Sequence, residues 1–277
     1  MMQLGPNDIP LDDLFEIHPE RGHRVFKQTV TLFPHQNPRT STRVHKYKDY
    51  AIKYYTAARE VEMAELAGDC GVKVHGRLVK FDVPPNNQPR PVGLVMEIAR
   101  PLEHYIETIK IESEKTDAKA AAYESEKNRI KTEMIAVLKE LHTKYNLVHG
   151  DVCLSRFVIC QDHKIRLCDF KSARPADESV QIWQDLIEDT SGGHLTAWSG
   201  NKMRQSTWIP PTEADDWYAL AISVWELYTG KKAFEDIGEG EMVLNLSTGK
   251  TVDLEEVKDN ETREWIRRML HERGAAV

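Results

Sequence analysis

The sequence has few cysteines, no long apolar run and no strong excess of one charge. Its four cysteines lack the CxxC spacing of zinc sites, so reduced thiols in a cytosolic or nuclear protein are expected. No apolar stretch approaches the length of a membrane span. The N-terminal segment lacks a basic region followed by an apolar stretch, so no secretory signal is expected there.

The composition favours a globular protein that does not act mainly on polyanions. Hydrophobic residues make up 40% and charged residues 29% of the 277 residues, which is enough apolar material for one or two domains with a core. The net charge of −7 reflects 44 acidic and 37 basic residues. This balance argues against nucleic acid or an anionic membrane as the main partner.

The first third of the chain predicts a small sheet with one helix. Residues 1–22 are polar and contain Pro6 and Pro10, so an extended N-terminal arm is expected. Alternating apolar and polar residues predict strands in VFKQTVTLF and in RVHKYKDYAIKYY, with a bend near Asp49. AAREVEMAELAG predicts a helix that ends at Gly68, and RLVKFDV and PVGLVMEIA predict two further strands.

After Pro101 the pattern becomes helical. A core stripe runs through the second half of this region, at Ile130, Met134, Val137, Leu138 and Leu141. The preceding ESEKTDAKAAAYESEKN has almost no apolar face, which indicates a solvated helix or an insertion rather than a binding surface. DDWYALAISVWELYTG is apolar nearly all round and predicts a buried helix, and ETREWIRRMLHERG predicts a short amphipathic one.

The chemistry is concentrated in residues 147–171, which read LVHGDVCLSRFVICQDHKIRLCDFK. His149-Gly150-Asp151 precedes two short apolar strands, and Asp169-Phe170 follows them. Two aspartates at the ends of a short hairpin are suited to orienting a hydroxyl and holding a metal-bound phosphate. The segment resembles the catalytic loop (HRDxxxxN) and the metal-binding segment (DFG) of the protein kinase family.

The resemblance extends over roughly residues 24–273 because several landmarks occur in the family's order. It implies an α+β, two-lobed protein kinase-like fold, with a small β-rich N-lobe over residues 23–99 and a larger helical C-lobe over residues 100–277. It also implies ATP and Mg²⁺ as cofactors, and a protein substrate or protein partner.

Three landmarks concern the nucleotide: the strand with Lys53, the helix that follows it, and the strand PVGLVMEIA. Ala51-Ile52-Lys53 resembles the family's VAIK strand, whose lysine binds the α- and β-phosphates of ATP. The following helix supplies the carboxylate that pairs with Lys53, and Glu60 is the preferred candidate, with Glu62 and Glu65 as alternatives.

The strand PVGLVMEIA resembles the last N-lobe strand and the hinge. The resemblance makes Met96 the gatekeeper and assigns adenine hydrogen bonds to the backbone of Glu97 and Ala99. An ordinary core strand is the alternative interpretation of the same residues.

The C-lobe landmarks concern catalysis. Asp151 corresponds to the catalytic aspartate, which orients the substrate hydroxyl, and Asp169 to the DFG aspartate, which binds magnesium. Asp215 and Trp217 match the DxW motif, whose aspartate holds the catalytic loop. Pro211-Thr212-Glu213 stands in the place of APE. The segment before it carries hydroxyls that are either phosphorylation sites or parts of a polar loop, namely Thr190, Ser191, Thr196, Ser199, Ser206 and Thr207.

The sequence departs from the family pattern around the phosphates. No GxGxxG precedes Lys53, and Phe33-Pro34-His35-Gln36-Asn37-Pro38 occupies that turn. Arg156 replaces the second-metal asparagine, and a guanidinium cannot coordinate a cation. Lys171 replaces the glycine of DFG, and Gly150 replaces the arginine of HRD.

These features leave three hypotheses. The first is a divergent protein kinase-like protein that binds ATP, with weak or lost Ser/Thr phosphotransfer to a protein hydroxyl. The second is a catalytically inactive pseudokinase that acts as an interaction or allosteric module, in which Arg156 pairs with Asp169 and fills the metal position. The third is a small-molecule phosphotransferase, a class that shares the HGD triplet, although the buried DxW helix favours the protein kinase side.

Overall fold

The structure, a computed structural model, describes residues 8–17, 24–26, 30–32, 44–54, 56, 58–81, 89–179, 210–235 and 251–272. The chain divides into two compact units. The first comprises Met1–Arg100 with Ile159–Lys171, and the second comprises Pro101–Val158 with Ser172–Val277. The first is rich in strands and the second in helices, so the predicted α+β class is confirmed.

The first unit is built around a six-stranded sheet and one helix. In chain order its elements are β1 (Ile9–Pro10), β2 (Phe15–Ile17), β3 (Arg24–Phe26), β4 (Val30–Leu32), β5 (Val44–Tyr47), β6 (Tyr50–Tyr54), α1 (Ala58–Leu66), β7 (Val74–Phe81) and β8 (Pro89–Glu97). The sheet has the order β1-β7-β8-β6-β5-β4, and β2 pairs with β3 separately. All neighbours in the large sheet are antiparallel except β1 and β7.

Strand β6 lies inside this sheet and carries Lys53. It forms a hairpin with β5 through a turn at Lys48 and Asp49, where Lys48 has a φ of 54°. On its other side β6 pairs with β8, with Lys53 opposite Leu94 and Ala51 opposite Met96. The three central residues of β6 are buried, which agrees with their position between two strands.

Within the arm predicted for residues 1–22, the structure describes residues 8–17. Ile9 and Pro10 add a parallel strand to β7, and Leu11–Leu14 form a 3-10 turn. Leu11 and Leu14 are three residues apart, so one such turn directs both side chains to the same side. They pack with Ile52 and Leu78, and burial of each leucine contributes about 2 kcal/mol, which holds the segment on the sheet.

Helix α1 packs one face on the sheet. Val61, Met63 and Ala64 are buried, as is Glu60 in its first turn. The helix is followed by Gly68, whose φ of 52° is the left-handed conformation that ends helices. The predicted helix end at Gly68 is therefore confirmed.

A short hairpin carries the chain from the second unit into the first. Its strands are β11 (Phe157–Ile159) and β12 (Ile165–Leu167). Within the first unit, the carbonyl oxygen of Leu167 accepts a hydrogen bond of 2.8 Å from the amide of Val72. This bond ties the strand that precedes Asp169 to the segment after α1.

The second unit is mainly helical. Strand β9 (Arg100–Pro101) falls on the boundary between the two units in the sequence. The other elements of the second unit are α2 (Leu102–Ser113), α3 (Asp117–Tyr145), β10 (Leu147–Val148), β13 (Arg174–Pro175), α4 (Glu213–Thr229) and α5 (Asn260–Glu272). Strands β10 and β13 pair antiparallel. None of the helices in the described part of the chain is long and apolar enough to cross a membrane.

Helix α3 is solvated in its first half and buried in its second. Its first turns, 117–126, are mostly exposed, which confirms a solvated helix over this charged stretch. Ile130, Met134, Leu138 and Leu141 are fully buried and share one face through steps of three and four residues. They belong to the same core as α4, whose residues 218–227 are all buried.

Candidate active site

The first unit contains an ion cluster around Lys53. The Lys53 side chain is 7% exposed, and its ammonium contacts Glu60 Oε1 and, at 2.5 Å, Asp169 Oδ1. Strand β6 supplies Lys53, and the first turn of α1 supplies Glu60. Asp169 follows β12. Three separate segments thus converge on one ammonium group.

The structure distinguishes between the three candidate glutamates. Glu60 lies against Lys53, whereas Glu62 is exposed and Glu65 accepts a hydrogen bond of 2.6 Å from Arg77 Nε. Residues of a helix turn by about 100° per position, so Glu60 and Glu62 point to different sides. The role of the Lys53–Glu60 pair in nucleotide binding stays a prediction.

The electrostatics of the cluster follow from burial and opposite charge. Burial alone lowers the pKa of Lys53, but the charges of Asp169 and Glu60 and the hydrogen bonds to them outweigh burial and raise this pKa. Burial raises the pKa of Glu60, an effect that the Lys53 ammonium opposes and the Asp169 charge reinforces. Lys53 therefore stays charged at neutral pH, as a phosphate-binding lysine must.

Asp169 has an unusual backbone and a second cationic neighbour. Its φ is 67°, a left-handed conformation that residues other than glycine seldom adopt and that is concentrated at functional sites. Its Oδ2 lies 3.8 Å from the Lys171 ammonium, and the Lys171 side chain is 36% exposed. Phe170 is buried, and a side chain at Gly71 would press on its ring.

The predicted hinge residues lie at the end of β8. Met96 is buried, while Glu97 and Ala99 are half-buried. The Glu97 amide donates to the Lys73 carbonyl oxygen at 3.0 Å, and the Glu97 carboxylate accepts from the Lys73 amide at 3.0 Å. The amide of Glu97 is thus used within the protein. The adenine contacts of Met96, Glu97 and Ala99 stay predictions.

The second unit contains the loop predicted to be catalytic, which carries His149, Gly150 and Asp151. His149 and Gly150 donate backbone hydrogen bonds of 2.7 and 2.8 Å to the two carboxylate oxygens of Asp216. His142 Nε2 lies 2.9 Å from the same carboxylate, which is 1% exposed. Asp216 thus fixes the backbone that leads into Asp151.

The assignment of this role to Asp215 is wrong. Asp215 instead accepts hydrogen bonds of 2.8 Å from the amide and hydroxyl of Thr212, and the Thr212 hydroxyl accepts from the Asp215 amide. This reciprocal arrangement is a capping box at the start of α4. Pro211 and Thr212 therefore lead directly into the helix. The motif Thr-x-x-Asp was visible in the sequence and identifies Asp215 as the capping residue.

The backbone conformation at position 150 requires a glycine. Its φ is 75°, and an added Cβ would lie 2.6 Å from the Ser172 carbonyl oxygen and 2.7 Å from Pro211 Cγ. No larger residue fits without moving backbone. The absence of the family's arginine here is thus built into the loop geometry.

Asp151 is held by Arg156. The Arg156 Nε and Nη2 atoms lie 3.0 and 2.9 Å from the same oxygen, Asp151 Oδ2, and the Asp151 side chain is fully buried. A charged guanidinium with two donors on one oxygen holds the carboxylate in place. The sequence-based hypothesis predicted an ion pair between Arg156 and Asp169. Within the second unit, Arg156 instead forms an ion pair with Asp151.

The donor set does not fit the family's magnesium site. Both oxygens of Asp169 face lysine ammonium groups, at Lys53 and Lys171. Within the described residues, no group of three or more His, Cys, Asp or Glu side chains is arranged to hold a metal ion. The assignment of Asp169 as a metal ligand therefore rests on the family resemblance alone.

Two predictions lie outside the described residues. One is the turn at Phe33–Pro38 that replaces the glycine-rich loop, and the other is the group of hydroxyls between Thr190 and Thr207.

Comparison with known proteins identifies the class. The sequence profile described as "Protein kinase domain" matches residues 42–274, which is most of the chain, so the protein belongs to the protein kinase family. It is also similar to receptor-interacting serine/threonine-protein kinase 1 of Homo sapiens. The two are 24% identical over 156 residues, which are 51% of this chain and 22% of that protein. The match therefore concerns less than a quarter of that relative.

Proposed function

We propose that the chain binds ATP through its first unit and that its transfer of phosphate to a protein hydroxyl is weak or lost. The observation that carries the first part is the cluster of Lys53, Glu60 and Asp169. A buried lysine between two carboxylates is positioned and charged before a ligand arrives. Little of the binding free energy of a triphosphate is therefore spent on ordering this side chain.

The proposal gives each residue of the first unit a role. Lys53 would bind the α- and β-phosphates, and Glu60 would hold its ammonium in place. Met96 would border the adenine, while the Glu97 carbonyl and the Ala99 amide would hydrogen-bond its edge. The commitment of the Glu97 amide to Lys73 supports the carbonyl as the group that meets adenine.

The second part of the proposal rests on Asp151. In the family this carboxylate orients the acceptor hydroxyl and takes its proton. Here one of its oxygens already accepts two donors from Arg156. Loss of a positioned proton acceptor typically reduces the rate by about 10²–10⁴-fold, so Ser or Thr phosphotransfer would be slow.

The same ion pair favours a second candidate function, a catalytically inactive module. In that case the chain would act as an interaction or allosteric partner for another protein, with or without ATP. Phosphorylation that depends on Asp151 separates the two functions, since only a weak kinase would lose its residual activity in Asp151→Asn.

We also propose that the protein is located in a reducing compartment, either the cytosol or the nucleus. All four cysteines are free thiols, and Cys70 and Cys160 are buried. Structural disulfides are rare where glutathione keeps thiols reduced, which fits this location. A protein substrate or protein partner, rather than nucleic acid or membrane, completes the proposal.

ATP binding can be tested by calorimetric titration and thermal shift of the natural chain, Lys53→Met and Lys46→Met. Lys46 is an exposed lysine on the neighbouring strand β5, so its variant controls for loss of charge. ATP at 100 times its dissociation constant should stabilise the natural chain by about 2.7 kcal/mol. We expect Lys53→Met to weaken binding by at least about tenfold and Lys46→Met to leave it unchanged. Equal affinity in both variants would refute the role of Lys53.

A further inference from the structure

Lys171 places a second, partly exposed cation beside Asp169. Its ammonium is 3.8 Å from Asp169 Oδ2, whereas the Lys53 ammonium lies 2.5 Å from Asp169 Oδ1. The charge of Lys171 is also felt at Glu60, where it favours the ionised carboxylate. The residue therefore acts on the whole ion cluster rather than on one neighbour.

The two lysines of the cluster differ in exposure. The Lys53 side chain is 7% exposed and held by two carboxylates, whereas the Lys171 side chain is 36% exposed. A half-exposed lysine has several rotamers within reach of one position at little cost. Lys171 can therefore turn from Asp169 to an incoming anion while Lys53 stays in place.

The charge balance differs from that of the family pattern. With glycine at position 171, Glu60 and Asp169 would face one lysine, and a divalent cation would supply the missing positive charge. With Lys171 the cluster has two positive and two negative groups, so it is already neutral. An added divalent ion would meet two ammonium groups close to its carboxylate ligand and be repelled by both.

We propose that Lys171 takes the place of the divalent metal, so that this chain binds the triphosphate of ATP without Mg²⁺. The proposal rests on the proposed function and deepens it, since it specifies the ionic form of the ligand. Free ATP carries more negative charge than its magnesium complex, and Lys171 supplies beside it a positive charge that glycine at this position would lack.

The test is calorimetric titration of ATP in EDTA and in excess MgCl₂. It compares the natural chain with Lys171→Gly, which restores the family residue, and Lys171→Met, which keeps the length of the side chain. Lys164→Met is the control, because Lys164 is an exposed lysine of the same unit at the turn between β11 and β12. Circular dichroism of each variant confirms that it is folded before titration.

The proposal expects the natural chain and Lys164→Met to bind ATP in EDTA at least as tightly as in MgCl₂. Both Lys171 variants should lose about tenfold or more in EDTA, and Lys171→Gly should regain affinity in MgCl₂. Binding by the natural chain only with MgCl₂ would overturn the role of Lys171 and leave the proposed ATP binding intact. Absence of binding under both conditions would overturn the proposed function as well.

Discussion

Replacement of Asp216 by alanine should destabilise the protein far more than replacement of its neighbour Asp215. Asp216 is buried and accepts backbone hydrogen bonds from His149 and Gly150, besides its contact with His142. Asp215 is half-exposed in the first turn of α4 and accepts hydrogen bonds from Thr212. The two variants remove the same group from adjacent positions.

The magnitudes follow from what each variant leaves without a partner. Alanine at position 216 leaves the amides of His149 and Gly150 buried without their acceptor, and each orphaned group costs about 1–3 kcal/mol. We therefore expect Asp216→Ala to reduce the free energy of unfolding by about 3–5 kcal/mol. Loss of a capping residue costs about 1 kcal/mol, which is the expectation for Asp215→Ala.

The assay is urea unfolding followed by far-UV circular dichroism, with Asp216→Asn as an intermediate variant. Asparagine keeps one acceptor oxygen, so its cost should lie between those of the two alanine variants. In thermal unfolding, Asp216→Ala should lower Tm by about 10 °C and Asp215→Ala by about 3 °C. Equal costs for the two alanine variants, or a larger cost for Asp215→Ala, would refute the assignment of the loop-holding role to Asp216.

Three further predictions concern glycine geometry, pH and thiol reactivity. Gly150→Ala should cost at least about 2 kcal/mol in thermal unfolding, because its Cβ would meet the Ser172 carbonyl at 2.6 Å with φ at 75°; a cost near zero would contradict the geometry. Burial raises the pKa of Glu226 above its ordinary 4.5, because the folded state favours the protonated carboxyl. The protonated Glu226 therefore stabilises the fold fully below pH 4.5, and this stabilisation is lost as the pH rises through the raised pKa. Glu226→Gln keeps an acceptor for the Ala233 amide, which lies 3.0 Å from Glu226 Oε1. Because glutamine does not titrate, the free energy of unfolding in urea should depend less on pH in this variant. An unchanged pH dependence would contradict the raised pKa of Glu226. Burial raises the pKa of the Cys160 thiol to about 12, so little reactive thiolate is present at neutral pH. Iodoacetamide should therefore label Cys160 only after unfolding, as detected by mass spectrometry. Rapid labelling of the native protein would count against the burial of Cys160.

The family, the class of fold and the order of the elements were accessible from the sequence because they depend on local patterns. Alternating residues predicted β5 and β6, and the apolar run predicted α4. Residues 8–17 were missed because their attachment to β7 is a long-range pairing with a short and polar sequence signal. Leu11 and Leu14 were the available hint.

Side-chain partners were less accessible. The choice among three glutamates depends on where α1 begins relative to β6, and helix ends are uncertain by one or two residues from sequence alone. Two consecutive aspartates, Asp215 and Asp216, made the DxW motif ambiguous, although the capping-box pattern from Thr212 could have resolved it. The partner of Arg156 could not be inferred, because a long side chain near two aspartates has more than one possible ion pair.

We propose that ATP is bound while Asp151-dependent phosphotransfer is weak or lost. The most direct measurement is incorporation of labelled phosphate into protein at an ATP concentration that saturates binding in the same preparation, for the natural chain and Asp151→Asn. The ion pair with Arg156 predicts a natural rate within about tenfold of the Asp151→Asn rate. A natural rate that exceeds the variant by about 10³-fold or more would contradict the claim and identify the chain as an efficient kinase.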